Sequence, residues 1–194
     1  MAETSTKKQQ THQRMLAAAG RSFRAHGFAG IGVDGIAKSA GVTSGAFYAH
    51  FGSKGRAFEA AITAGLDEVI AAIPVFRDEH GQGWIVAFAD YYLGQSHRVD
   101  LGGGCAMTSL SPEVVRASPD VQAIYEEKMT LITRLVADGL AGGTDDARLA
   151  RAWAMLSTLI GGLTTSRAVA SGELADQIAA AVHGAALAAA GDAA

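Results

Sequence analysis

From Leu16 onward, apolar residues recur at intervals of three and four almost to the end of the chain. Leu16, Ala19, Gly20 and Phe23 fall at i, i+3, i+4 and i+7, the spacing that gathers side chains on one face of an α-helix. Val33, Ile36, Ala37 and Ala40 repeat it, and so do Trp84, Ala87, Phe88 and Tyr91. Later stripes are Val121, Ile124, Tyr125, Ile132, Leu135 and Val136, then Leu149, Ala152, Trp153, Leu156, Ile160 and Leu163, then Leu174, Ile178, Ala181, Val182 and Ala185. Nothing shows the two-residue alternation of a half-buried strand. The pattern predicts an all-α chain of about nine helices. With 49% of its 194 residues apolar, it can bury a sizeable core.

Glycine and proline set the expected boundaries. The first helix runs from about Thr6 to His26 and stops at Gly27, a natural C-terminal cap. Gly41 ends a short second helix, Thr43 caps a third that begins at Ser44, and Gly52 closes it. Ser53 caps a fourth, which Pro74 is expected to end at Ile73, because a residue before proline avoids helical geometry. "SPEVV" and "SPDVQ" each offer a serine cap, a proline at the first helical position and an acid behind it, at Ser111 and Ser118. The last helix begins near Gly172, and the ends, residues 1–6 and 190–194, are expected to be loose.

Charge divides the chain. Residues 1–56 carry eight Lys/Arg against Glu3 and Asp34, a balance of +6; residues 57–194 carry eight basic and 17 acidic residues, a balance of −9. A basic head on an acidic body suits a head that meets a polyanion. The expected division is a basic head, residues 1–56, and an acidic body, residues 57–194. The polar N-terminus lacks the pattern of a secretory signal, and no apolar run is long enough for a membrane span, so a cytoplasmic protein is expected. A single cysteine, Cys105, leaves no partner within the chain for a disulfide.

The third helix, "TSGAFYAHF" from its cap, is built of two unlike sides. At 100° per residue and with Phe47 at the origin, Phe51 falls at about 40°, Tyr48 at about 100°, Gly45 at about 160°, Ala49 at about 200° and Ala46 at about 260°. Phe47 and Phe51 define a buried side, and the opposite side is nearly bare. A bare side lets a helix backbone come close to another surface, as entry into a major groove requires. Thr43 and Ser44 offer hydroxyls and backbone N–H groups at the helix start, where phosphate oxygens bind well. Tyr48 places a hydroxyl at the edge of that face, or rims the core. Lys54 supplies a charge beside it. His50 falls about 60° to the other side of Phe47, and both packing and a phosphate contact stay open for it.

Helices two and three, joined at Gly41, have the dimensions of a helix-turn-helix. The string "VDGIAKSAGVTSGAFYAHFGSKGRAF" resembles the DNA-binding head of the TetR/AcrR family of bacterial repressors, through "IAKSAGV", "GAFYAHF" and the "SK" that opens the next helix. The likeness covers residues 11–57 or so. Beyond it the chain is similar to the family in length and helical character alone. The resemblance implies that Thr43, Tyr48, His50 and Lys54 hold phosphates and that Ser44, Gly45 and Ala46 touch base edges. Ser44 departs from the Lys, Arg or Pro that many relatives carry, which removes a charged reader of guanine and leaves room for thymine-methyl contacts with Ala46.

For the body the resemblance implies a homodimer and a small-molecule effector, with no cofactor and no metal. The last two stripes are the expected dimer surface: Leu149, Trp153, Leu156, Ile160, Leu163, Leu174, Ile178 and Val182, with Gly161, Gly162 and many alanines permitting close approach. Trp84, Phe88, Tyr91, Tyr92, Cys105, Met107, Tyr125, Met129 and Trp153 are the candidate lining of an apolar ligand pocket, or ordinary core. The leading reading is a ligand-responsive repressor that binds double-stranded palindromic operator DNA. A redox regulator switched through Cys105 is an alternative, because a thiol at a helix start can gain reactivity. An enzyme is disfavoured: the chain has no Walker loop, no H-E-x-x-H and no G-x-S-x-G, and His80, His97 and His183 are scattered.

Overall fold

The computed structural model describes residues 2–191, with side chains from Lys8 onward. These residues form ten α-helices: α1 (Ala2–Gly30), α2 (Val33–Ser39), α3 (Ser44–Phe51), α4 (Lys54–His80), α5 (Trp84–Leu93), α6 (Gln95–Val99), α7 (Ala106–Val114), α8 (Pro119–Ala137), α9 (Asp145–Ala168) and α10 (Gly172–Ala190). A 3-10 turn, Gly81–Gly83, precedes α5, and no strand occurs among the described residues. The chain is all-α. The helix not expected from the sequence is α6, five residues long and too short to show a period.

Most predicted boundaries fall where glycine requires them. The first helix breaks at Gly27 (φ 72°, ψ 171°), and one further turn reaches Gly30. Gly41 and Gly52 also have positive φ, 66° and 74°, which costs a residue without Cβ little. The Thr43 hydroxyl accepts from the Ala46 N–H at 3.2 Å, and Ser53 accepts from the Arg56 N–H at 3.1 Å.

Three expectations fail, the first two for packing reasons. Pro74 does not end α4, which runs on to His80. Its apolar face continues past the proline. Ile73 is fully buried, and the Phe76 ring lies 5.5 Å from Phe88 and 5.4 Å from Tyr91. These contacts outweigh one lost backbone hydrogen bond. Ser111 does not cap a helix either. α7 starts after Cys105 and carries Pro112 within it, because Met107, Leu110 and Val114 are all buried along one helical face. Finally, α1 begins at Ala2, so residues 2–6 are helical and Ala190 closes α10; Met1 and residues 192–194 of the expected loose ends lie outside the described residues.

The chain forms two compact units. The first comprises Met1–Gly65 and Leu101–Ile124. Its core is Met15, Phe23, Ile36, Phe47, Phe58 and Ile62, with Met107 and Leu110 of α7. Phe58 meets Phe23 edge-on at 5.2 Å and Phe28 at 5.1 Å. Arg24 donates from Nε to the Gly102 carbonyl at 2.7 Å. The second unit comprises Leu66–Asp100 and Tyr125–Ala194. Here α9 and α10 pack along their lengths, and Met155, Leu156, Leu159 and Leu163 are fully buried. Arg151 of α9 donates to the carbonyl of Ala190, the last residue of α10, at 3.0 Å and to those of Ala141 and Gly142, in the loop before α9, at 2.7 and 2.6 Å.

Candidate nucleic-acid interface

The bare side of α3 faces away from the core. Phe47 is fully buried and Phe51 nearly so, their rings 5.1 Å apart, while Gly45 and Ala49 are exposed. Gly45 has no need to be glycine for the fold. Its φ is not positive, and a Cβ built on it meets nothing nearer than the Thr43 hydroxyl oxygen at 3.8 Å. Glycine inside a helix costs up to about 1 kcal/mol relative to alanine. A cost with no internal cause points to a surface outside the fold that approaches this helix.

The helix start is rich in hydrogen-bonding groups. Thr43 accepts through its oxygen, so its O–H proton stays available to a phosphate oxygen. Ser44 is half-buried, and its hydroxyl donates to Oδ1 of Asp34 in the first turn of α2. Tyr48 is 52% exposed and leans edge-on against Phe47 at 5.9 Å, so it both rims the core and presents its hydroxyl outward. The ammonium of Lys54 lies 4.5 Å from the centre of the Phe28 ring, a cation–π contact that holds it at the end of α4 beside α3.

His50 packs. Its ring lies 5.6 Å from that of His12 on α1, and His12 also approaches Phe51 at 5.1 Å. Lys8, Gln9, His12, Gln13, Ala49 and His50 border an open groove of about 390 Å³. Partial burial, and then the positive charges of His12 and Lys8, push the His50 imidazole below its ordinary value of 6.5. A neutral His50 therefore favours the folded state. Its contribution is fully present above about pH 6.5 and is lost as pH falls through the lower folded value. Urea unfolding followed down from about pH 7 is expected to show a smaller loss of stability in His50→Gln than in the parent. Identical pH profiles would remove His50 from this balance.

The other expected sites are divided between the units. In the second, Trp84, Phe88 and Tyr92 make a buried ladder along α5, with ring centres 6.4 and 5.8 Å apart. Tyr91 is 58% exposed and lies edge-on to His97 at 4.5 Å. Met129 is buried and Tyr125 half-buried on α8, while Trp153 is 42% exposed. Cys105 and Met107 belong to the first unit; Met107 is core, and Cys105, half-buried, is the residue before α7. A cleft of about 550 Å³ in the second unit takes only Trp84 from the predicted lining. Of the expected dimer surface, Leu156 and Leu163 are fully buried within the protomer. Trp153 and Leu174 are exposed, and Leu149, Ile160, Ile178 and Val182 are half-buried. Among the described residues no group of three or more His, Cys, Asp or Glu is placed to hold a metal ion, and no helix is long and apolar enough to cross a membrane.

Sequence reasoning missed Asp34, His12 and Phe28. Each comes from a different helix than the residue it touches, so no period within one helix could reveal it.

Comparison with known proteins agrees with the geometry. The sequence profile of a family described as "Bacterial regulatory proteins, tetR family" matches residues 15–61. The chain is 33% identical over 82 residues to the HTH-type transcriptional repressor SCO4008 of Streptomyces coelicolor, a match spanning 42% of this chain and 42% of that relative. The fold is similar to that of E. coli NemR in its reduced form, with a TM-score of 0.74 and 20% identity, over 89% of this chain and 95% of that one. It is also similar to a TetR-family transcriptional regulator from Cytophaga hutchinsonii, with a TM-score of 0.77 and 15% identity, over 94% and 96% of the two chains. At these identities the structural likeness is one of fold.

Proposed function

We propose, from the match of residues 15–61 to the TetR family of bacterial regulatory proteins, that the chain is a cytoplasmic transcriptional repressor of that family which binds a palindromic operator as a homodimer and is released by a small apolar molecule. The observation that carries the proposal is the outward side of α3, exposed at Gly45 and Ala49 and bare for no reason internal to the fold. Residues 1–56 act as the DNA-binding head and residues 57–194 as the ligand-binding and dimerisation body. α3 enters the major groove; Thr43, Tyr48, His50 and Lys54 meet phosphates, and Ser44, Gly45 and Ala46 meet base edges.

The dimer forms on the outer faces of α9 and α10, where Trp153 and Leu174 stay exposed in the protomer. Two heads held at fixed separation read two half-sites, and the pairing multiplies the modest selectivity of each. The effector binds among the aromatic residues of the body and favours a conformation whose heads no longer match the half-site spacing. That is a population shift, and its size equals the effector's preference for the unbound conformation.

Selection of bound sequences from random double-stranded DNA tests the reading, and a two-fold symmetric consensus is the expected outcome. Lys54→Ala is expected to weaken binding to all selected sequences alike and to lower the salt dependence by about one phosphate contact per head. A change of preferred sequence in Lys54→Ala would contradict its phosphate role, and failure to enrich any sequence at moderate salt would remove the function itself.

A further inference from the structure

A lone serine at the start of a reading helix is a poor discriminator. Its hydroxyl can donate or accept, so it can pair with any base edge in the major groove. Here the hydroxyl proton is committed, because Ser44 Oγ donates to Asp34 Oδ1 across ten residues of sequence. Asp34 is exposed, in the first turn of α2, and Ser44 is the first residue of α3. What this pair can present outward is lone pairs: two on the serine oxygen and those of the carboxylate.

Resting on the DNA-binding reading above, we propose that Asp34 is a specificity-determining residue, which by holding the Ser44 hydroxyl makes the start of α3 an acceptor-only reader of the major groove. Donors there are the exocyclic amines of adenine (N6) and cytosine (N4). Guanine presents only N7 and O6 acceptors, and thymine presents O4 and a methyl group. The pair therefore selects an adenine or a cytosine on the contacted strand and repels guanine. The negative charge works the same way. It lies next to backbone phosphates, lowers affinity for all DNA and leaves the matched base as a larger share of what binding remains. Asp34 also lies near the positive end of α2, a role that any acid in the first turn performs. That role affects stability and leaves base preference unchanged.

The test is selection from random double-stranded DNA with the full chain and four variants: Asp34→Ala, Asp34→Asn, Ser44→Ala and the Asp34→Ala/Ser44→Ala double variant. The parent is expected to prefer adenine or cytosine at one position of each half-site. Asp34→Ala frees the hydroxyl to donate, so the preference at that position relaxes by about fivefold to tenfold, while overall affinity rises. Asp34→Asn keeps a carbonyl acceptor for Ser44 but drops the charge and adds an amide donor, so the preference relaxes by less than in Asp34→Ala and affinity still rises. Ser44→Ala leaves only the carboxylate lone pairs, so the preference weakens, and the double variant loses it. An unchanged consensus in Asp34→Ala overturns the proposal. Relaxation in Asp34→Asn as large as in Asp34→Ala also overturns it, because holding the hydroxyl proton would then make no difference. If Asp34→Ala fails to fold, Asp34→Asn and Ser44→Ala still decide. A parent that enriches no sequence defeats the DNA-binding reading instead, a result distinct from the others.

Discussion

Phe47→Ala is expected to lower the stability of the first unit by about 3–5 kcal/mol and to abolish operator binding. Phe47 is fully buried, its ring 5.1 Å from Phe51 and 5.9 Å from Tyr48. It is the anchor of an eight-residue helix whose other side is bare. A helix that short has no independent stability, so its position depends on the few side chains it buries. Removing the more deeply buried anchor leaves a cavity and frees Thr43, Ser44 and Tyr48 from their common frame at once. The checks are urea unfolding followed by far-UV circular dichroism and operator affinity by fluorescence anisotropy. Both tryptophans, Trp84 and Trp153, lie in the second unit, so tryptophan emission follows that unit and helps to localise the damage. Operator affinity within about tenfold of the parent would show that α3 is held by something else.

Gly162→Ala is expected to destabilise the protomer by about 1–3 kcal/mol, and Val182→Ala in the same chain is expected to recover most of the loss. A Cβ on Gly162 would lie 2.2 and 2.5 Å from the two Val182 methyl carbons and 2.8 Å from its Cβ. α9 and α10 meet there too closely for any side chain. Valine cannot rotate out of the way, because its Cβ moves only with the backbone. The neighbouring glycine makes the control. Gly161 is exposed and has nothing within 4 Å of a built Cβ, so Gly161→Ala leaves the protomer as stable as before or slightly more so. If the dimer forms on this face, Gly161→Ala instead raises the dissociation constant of the dimer. Thermal unfolding and sedimentation of the three variants separate the effects. Equal stability of Gly162→Ala and the parent would mean that the two helices can move apart without cost.

These two glycines show how far a sequence can be read. Side by side in the chain, both suggest close approach of another helix. Periodicity cannot say which one meets a partner within the protomer, because that depends on where α10 lies. The same holds for Leu156 and Leu163, apolar residues of α9 whose side chains the protomer core takes up entirely. Pro74 and Pro112 show local rules losing to packing, since side chains in contact on both sides of each proline keep the helix going.

What the sequence determined by itself is local: ten residues or fewer suffice to mark a helical face, a glycine stop or a threonine cap, because pitch and steric limits act over one or two turns. By that means the all-α class, the helix-turn-helix and the two-sided character of α3 could all be read from the residues alone. The tertiary structure decided which groups from separate helices meet. Asp34 accepts the hydrogen bond of Ser44, His12 lies tilted against His50, Phe28 holds the Lys54 ammonium, and Val182 fills the space at Gly162. Such pairings depend on how whole helices pack, and no single helical period carries that information.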